Sequence, residues 1–403
     1  MLRIGLIREG KTPPDNRVAL TPQQCAQLLA QHSGEVDIAV EPAADRCFSD
    51  AEYQAAGVQM STDLSDRDVL LGIKEVPISK LIPGKTYCFF SHTKKAQPHN
   101  QPLMHALIEK GIRLIDYECL THADGQRILG FGLYAGIVGA HNGLRTWGRK
   151  TGAFDLPPAH AIGAYDALRM SYAGLRLPAG LKIAVTGSGK VASGVVEVMA
   201  HLDVELVEPE DFIRTDYDYP VYVLLKGRNL YTRRGEGIYH RDDFHKHPDG
   251  YHCLFRNYLP HTDILMNGVY WTEGIPRLFA PEDLRGAYNR LSVIADITCD
   301  ENGSVPINLG ASTIADPVYG VDRQTGVRTA PCLPGTDTID VMAVDNLPNE
   351  LPRDASQYFG DHLIKYVLPE MLKGESDLLD RATICSDGNL TQAFSYLEAY
   401  ARG

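Results

Sequence analysis

The sequence predicts an α/β protein of two doubly wound parallel-sheet domains with an interdomain cleft. Three observations carry this reading. At 403 residues the chain exceeds the size at which one apolar core stops growing, so two domains are expected. Short apolar runs alternate with helix-start signals from the first residues onward, the pattern of parallel strands covered on both faces. A glycine turn also separates a buried-strand run from a helical run between residues 181 and 199.

Leu2 to Ile7 is the first expected strand. Thr21, Pro22 and Gln24 then form a capping box with proline at the first helical position, and Gly34 closes the helix. Val36 to Val40 is a second strand, and Ser49 with Glu52 a second capping box, ended by Gly57. Val69 to Ile73, Tyr87 to Phe90 and Arg113 to Ile115 read as further short buried strands. Tyr134 to Lys150 has helical periodicity and leads into Leu156-Pro157-Pro158, a bridge out of the first domain. A second sheet begins at Leu181. Thr215 to Gly250, rich in Tyr, Arg, Asp and His, predicts loops and short elements inserted in that sheet. The tail, with a helix from Glu350 to Leu372, returns to the first domain. The expected domains are therefore 1–134 with 346–403, and 135–345.

Bulk properties narrow the function. A net charge of −12 excludes a general binder of nucleic acid or acidic lipid, which needs a basic face, but leaves room for anionic substrates in a cleft held by a few Arg and Lys. The first nine residues lack the apolar stretch of a signal peptide, and no segment approaches a membrane span. The eight cysteines are scattered, with no Cys-x-x-Cys pair, so neither a zinc knuckle nor a disulfide framework is signalled, and a cytoplasmic location is expected. His240, His245, His247 and His252 with Asp242 and Asp243 match no metal-ligand spacing, so no metal is expected.

The strand run Leu181 to Thr186 meets Gly187-Ser188-Gly189-Lys190-Val191-Ala192 and then a helix through Val195 to Met199. In a Rossmann-like dinucleotide site Gly187 permits the tight turn, Gly189 lets the backbone approach a diphosphate, and Ala192 lets the helix pack on the strand. An ATP-type phosphate loop is excluded, because Val191 follows Lys190 where Ser or Thr is needed. About twenty residues past the first glycine, Glu208 ends a strand run at the position that commonly bonds the adenosine ribose, which favours NAD(H). Lys226 and Arg228 follow and either meet a ribose phosphate or are solvated surface charges, so NADP(H) or NAD(H) both stay open.

Lys74 and His92 each lie just past the end of an expected strand, where open parallel sheets bind ligands. A desolvated lysine and a histidine suit acid and base work around a carbonyl or imine. From position alone, a solvated strand end and a satisfied turn residue are the plainer readings. Arg17, on the same rim, has a guanidinium fork suited to a substrate carboxylate, or is a surface arginine. Asp116 and Glu118 alternate in facing, so one is structural.

Phe89-Phe90-Ser91-His92-Thr93-Lys94-Lys95-Ala96-Gln97 resembles the lysine-ketoglutarate reductase half of the bifunctional aminoadipic semialdehyde synthases. Leu114 to Glu118, Val207-Glu208-Pro209, Asn267 to Trp271, Asp296 to Asp300 and Val344 to Pro348 agree, in order along the chain. The wider group includes lysine-forming saccharopine dehydrogenase, alanine dehydrogenase and the soluble part of transhydrogenase. The resemblance implies Lys74 and His92 as the acid/base pair and Arg17, Glu118, Arg127 and Asp300 as substrate-binding residues. It implies Gly187, Ser188, Gly189, Lys190, Val191, Ala192, Glu208, Asn267, Gly268, Asp345 and Leu347 as the coenzyme site. The implied reaction is reductive condensation of lysine with 2-oxoglutarate to saccharopine. The partners are small-molecule amino-acid and 2-oxo-acid substrates, with room for a homo-oligomer and none for nucleic acid or membrane. Another amino-acid or opine-type dehydrogenase, or a non-catalytic nicotinamide-binding module, is the alternative. The sequence lacks the glutamate-forming module of the bifunctional enzymes, so a single step is expected.

Overall fold

The computed structural model describes residues 1–285 and 289–402. The chain divides into two units, Met1–Phe131 with Pro352–Gly403, and Gly132–Leu351. Each holds one eight-stranded, mostly parallel sheet. Among the described residues no helix is long and apolar enough to cross a membrane.

In the first unit the sheet runs Asn389–Leu390, Thr383–Ser386, Arg113–Asp116, Thr86–Phe89, Val69–Leu71, Leu2–Leu6, Val36–Val40, Gln59–Met60. The six strands from the first half of the chain are parallel, and the two from the tail are antiparallel at one edge. Side-chain alternation shows why both faces are covered. Leu6, Leu71 and Cys88 join one apolar cluster with Leu28, Phe359 and Val367, while Leu70, Tyr87 and Phe89 join another with Met104, Leu107 and Leu397. Both expected capping boxes form: Thr21 accepts from the Gln24 backbone and Ser49 from that of Glu52, with each partner side chain bonding back. The strand order reverses between Leu2–Leu6 and Val69–Leu71, which makes a crevice at their carboxyl ends.

In the second unit the order is Arg328–Thr329, Val318–Asp322, Thr338–Met342, Val293–Asp296, Ile264–Asn267, Lys182–Thr186, Val221–Leu225, Glu205–Leu206. Two strands pair antiparallel at one edge, and the rest are parallel. The stretch expected to hold loops and short elements contains Val221–Leu225, a five-residue strand beside Lys182–Thr186, in register Thr186 to Leu225. The expectation underrates it because five apolar residues carry no periodicity of their own. Both sheets are parallel through their centres, as expected, with antiparallel strands added only at one edge of each.

Candidate functional site

Two sets of functional side chains stand past strand ends, one on each unit. In the first unit, Lys74 follows Val69–Leu71 and His92 follows Thr86–Phe89. The Phe90 N–H donates to the Ile73 carbonyl at 3.0 Å, which sets the two strand ends level. A half-buried glutamate that sequence reasoning missed fixes the first of them. Glu9 accepts from the N–H groups of Ile73 at 2.6 Å and Lys74 at 2.9 Å, clamping the backbone that carries the lysine. Burial pushes its carboxyl up to about 8 despite those two donors. Burial also holds the Lys74 ammonium below its ordinary value, helped by the nearby charges of Arg17 and Lys11.

His92 sits in a left-handed backbone conformation at φ 55°, and its Nδ1 lies 2.5 Å from Glu75 Oε1. Burial works to raise the Glu75 carboxyl, but the His92 bond and charge outweigh it and hold the group near about 2. Glu75 is a second residue sequence reasoning missed. It holds the imidazole through Nδ1.

Arg17 is buried, with its Nε 2.9 Å from Asp15 Oδ1, its second fork arm on Asp15 Oδ2 at 2.5 Å, and its guanidinium 4.1 Å above the Phe131 ring centroid. Burial opposes ionisation of Asp15, yet Arg17 holds its carboxyl at about 2. Phe131 in turn stacks on Phe359 at 4.9 Å, so an aromatic floor supports the cation. Glu118 and Arg127 are brought together as an ion pair at 3.1 Å, with the Lys94 ammonium 4.0 Å from the other Glu118 oxygen. Asp116 is the structural one of the alternating pair: it is buried and accepts from the Ser91 backbone at 3.2 Å and the Glu118 backbone at 2.7 Å.

In the second unit the glycine turn lies between the strand Lys182–Thr186 and the helix Lys190–His201. Gly187 adopts φ +106°, where side chains are strained, and an added Cβ would lie 2.5 Å from the Gly268 carbonyl oxygen. Gly189 caps the helix Lys190–His201 without any side-chain bond, and an added Cβ there would meet nothing within 4 Å. The twelve-residue helix thus starts beside open space, with Ser188 and Lys190 exposed next to it. Ala192 is buried, and the next turn, at Gly194, meets Gly136 of the helix Gly132–Thr151 at backbone contact, where a Cβ on either glycine would strike a carbonyl oxygen. Val191 packs on Gly268.

The remaining residues expected at the coenzyme site, and Asp300 expected at the substrate site, are placed unevenly. Asn267 is fully buried: Thr186 Oγ1 donates to its Oδ1 at 2.7 Å, and its Nδ2 donates to Asp296 at 2.8 Å and Ser304 at 2.8 Å. Its amide ties three adjacent strand ends together. Asp300 and Asp345 are exposed on loops past the ends of Val293–Asp296 and Thr338–Met342, and Leu347 is buried in the turn Leu347–Glu350. Glu208 is exposed and follows the edge strand Glu205–Leu206, one strand farther from the glycine turn than Val221–Leu225.

Residues 5–138 match the alanine dehydrogenase/PNT N-terminal domain. An alpha-aminoadipic semialdehyde synthase of Arabidopsis thaliana is 32% identical over 98% of this chain and 41% of its own length. The chain thus spans less than half the length of that relative. A saccharopine dehydrogenase (NAD(+), L-lysine-forming) of Emericella nidulans is 25% identical over 90% of both chains. A solved L-alanine dehydrogenase superposes with a TM-score of 0.67 at 18% identity, covering 99% of this chain and 100% of its own.

Proposed function

We propose that this chain, similar to alpha-aminoadipic semialdehyde synthases and saccharopine dehydrogenases, is an NAD(P)-dependent oxidoreductase acting on CH–NH groups that joins lysine to 2-oxoglutarate. Lysine, 2-oxoglutarate, reduced coenzyme and one proton give saccharopine, oxidised coenzyme and water. The ε-amine forms a C–N bond to the keto carbon, the carbinolamine loses water, and the resulting imine carbon is reduced to a secondary amine. A nicotinamide coenzyme held on the glycine turn would supply the hydride.

The observation that supports this reading most is two ionisable residues at level strand ends, Lys74 with its backbone N–H held by Glu9 and His92 with its ring held by Glu75. The His92–Glu75 pair takes the proton released when the amine attacks and returns it to the departing hydroxyl. Lys74, with its proton affinity lowered by burial, exchanges a proton with the substrate nitrogen. Arg17, oriented by Asp15 and Phe131, and the Glu118–Arg127 pair place charge for the carboxylate and ammonium ends of the substrates. The free cysteines suit a reducing cytoplasm, and small molecules are the partners, with a homo-oligomer compatible.

The test is the double variant Lys74→Met with His92→Gln. Turnover with lysine and 2-oxoglutarate falls at least about 100-fold while coenzyme affinity holds, because only proton transfer is removed. Unchanged turnover overturns the assignment.

A further inference from the structure

We propose that a cavity in the first unit, walled by Glu9, Glu41, Tyr87 and the loop 76–82, binds a small zwitterionic amino acid with an apolar side chain. Its volume is about 400 Å³, within the range of small-molecule pockets. The cavity belongs wholly to the first unit, so it stands or falls independently of the coenzyme turn and of the reaction proposed for Lys74.

The sheet separates this cavity from the aromatic floor under Arg17. Leu64, Val76, Leu81 and Tyr87 of its wall belong to the apolar cluster of Leu70, Phe89 and Leu107, with Ile7 and Ile82 packed against it. The Phe131 and Phe359 rings beneath Arg17 pack in the cluster of the opposite face, with Leu71 and Cys88. Among the described residues placed around Lys74 and Arg17, only Glu9 also lines the cavity.

Its polar groups divide into two sets. Glu9 and Glu41 follow the adjacent parallel strands Leu2–Leu6 and Val36–Val40, and the Arg8 N–H donates to Glu41 Oε2 at 2.9 Å, so the two acids stand side by side. Both are half-buried, and neither has an ion-pair partner among the described residues. Burial, with the charge of Asp15, outweighs two backbone donors and Arg17 and pushes the Glu9 carboxyl up to about 8, the mark of an acid short of a cation. A ligand ammonium supplies that cation. The second set lies on the loop opposite in charge. Lys80 is exposed and without an ion-pair partner among the described residues, and the Ile82 N–H donates to the Tyr87 hydroxyl at 2.8 Å. Tyr87 is 1% exposed, and its own hydroxyl proton has no acceptor among the described residues. A ligand carboxylate answers both Lys80 and that proton, while Val76, Leu81 and Ile82 suit an aliphatic side chain. Arg8 and Asp63, both exposed, add one charge of each sign at the rim.

The test titrates the full chain by calorimetry, without coenzyme, using L-norleucine, hexylamine and hexanoate as probes. Norleucine binds once per chain and at least about tenfold tighter than either of the others, since each of those lacks one charge. Glu41→Gln and Lys80→Ser unfold at the wild-type temperature, and each weakens norleucine at least about fivefold. Hexylamine responds only to Glu41→Gln, and hexanoate only to Lys80→Ser. Arg127→Ala, and the double variant Lys74→Met with His92→Gln, leave norleucine affinity unchanged, because none of those side chains lines the cavity. Absence of norleucine binding, or binding that Arg127→Ala removes and Glu41→Gln does not, overturns the site. Hexylamine binding as tightly as norleucine overturns the zwitterion as its ligand. None of these results bears on the reaction at Lys74, which turnover reads separately.

Discussion

Replacing each glycine of the turn by alanine separates its two jobs. At Gly187, φ is +106°, and a side chain held in such a region costs about 1–3 kcal/mol. The new Cβ would also lie 2.5 Å from the Gly268 carbonyl oxygen, so one strand end must shift, an overpacking cost of about 1–3 kcal/mol. Together these destabilise the second unit by about 2–6 kcal/mol, or on the order of 5–20 °C in its unfolding temperature. At Gly189, φ is −93° and an added Cβ meets nothing within 4 Å, so Gly189→Ala folds like the wild type. Its methyl group instead enters the space where the diphosphate approaches the helix amides, and coenzyme affinity falls at least about tenfold. The assays are calorimetry of the apoprotein and fluorescence titration with NADPH. Gly189→Ala binding coenzyme as tightly as the wild type refutes the placement of the diphosphate, and Gly187→Ala unfolding at the wild-type temperature refutes the packing argument.

Other perturbations follow from the same geometry. Gly194→Ala drives a Cβ into the Leu133 carbonyl oxygen, so the helices Gly132–Thr151 and Lys190–His201 part and thermal unfolding drops by several degrees; an unchanged midpoint contradicts their backbone contact. The Glu75 carboxyl ionises near about 2 in the folded chain against an ordinary 4.5, so its stabilisation is complete above about pH 4.5 and is lost as pH falls toward 2. In Glu75→Gln that part of the acid limb flattens in a plot of unfolding midpoint against pH, and turnover drops because His92 loses its orienting partner; an acid limb identical to the wild type removes the claimed pairing.

Much of this architecture is legible in the residues. Thr21 with Gln24 and Ser49 with Glu52 announce their helices because a capping box is a local device, completed within four residues. The glycine turn is legible for the same reason, whereas the strand-end positions of Lys74 and His92 are legible but their proposed roles rest on the family resemblance. Partners chosen through the fold are not legible. Glu9 clamps the backbone 64 and 65 positions away, and nothing near Glu9 signals this. Glu75 finds His92 only when two strands align. Val221–Leu225 reads as an apolar fragment in a polar stretch, and its place beside the glycine-turn strand comes from long-range pairing, as does that of Thr383–Ser386 against Arg113–Asp116.

The most direct measurement mixes the purified chain with reduced coenzyme, lysine and 2-oxoglutarate, and follows coenzyme oxidation and product mass together. Saccharopine forms mole for mole with oxidised coenzyme, and omission of either carbon substrate stops both. Binding of the coenzyme with no oxidation, or oxidation supported only by a different amine or keto acid, contradicts the proposed reaction.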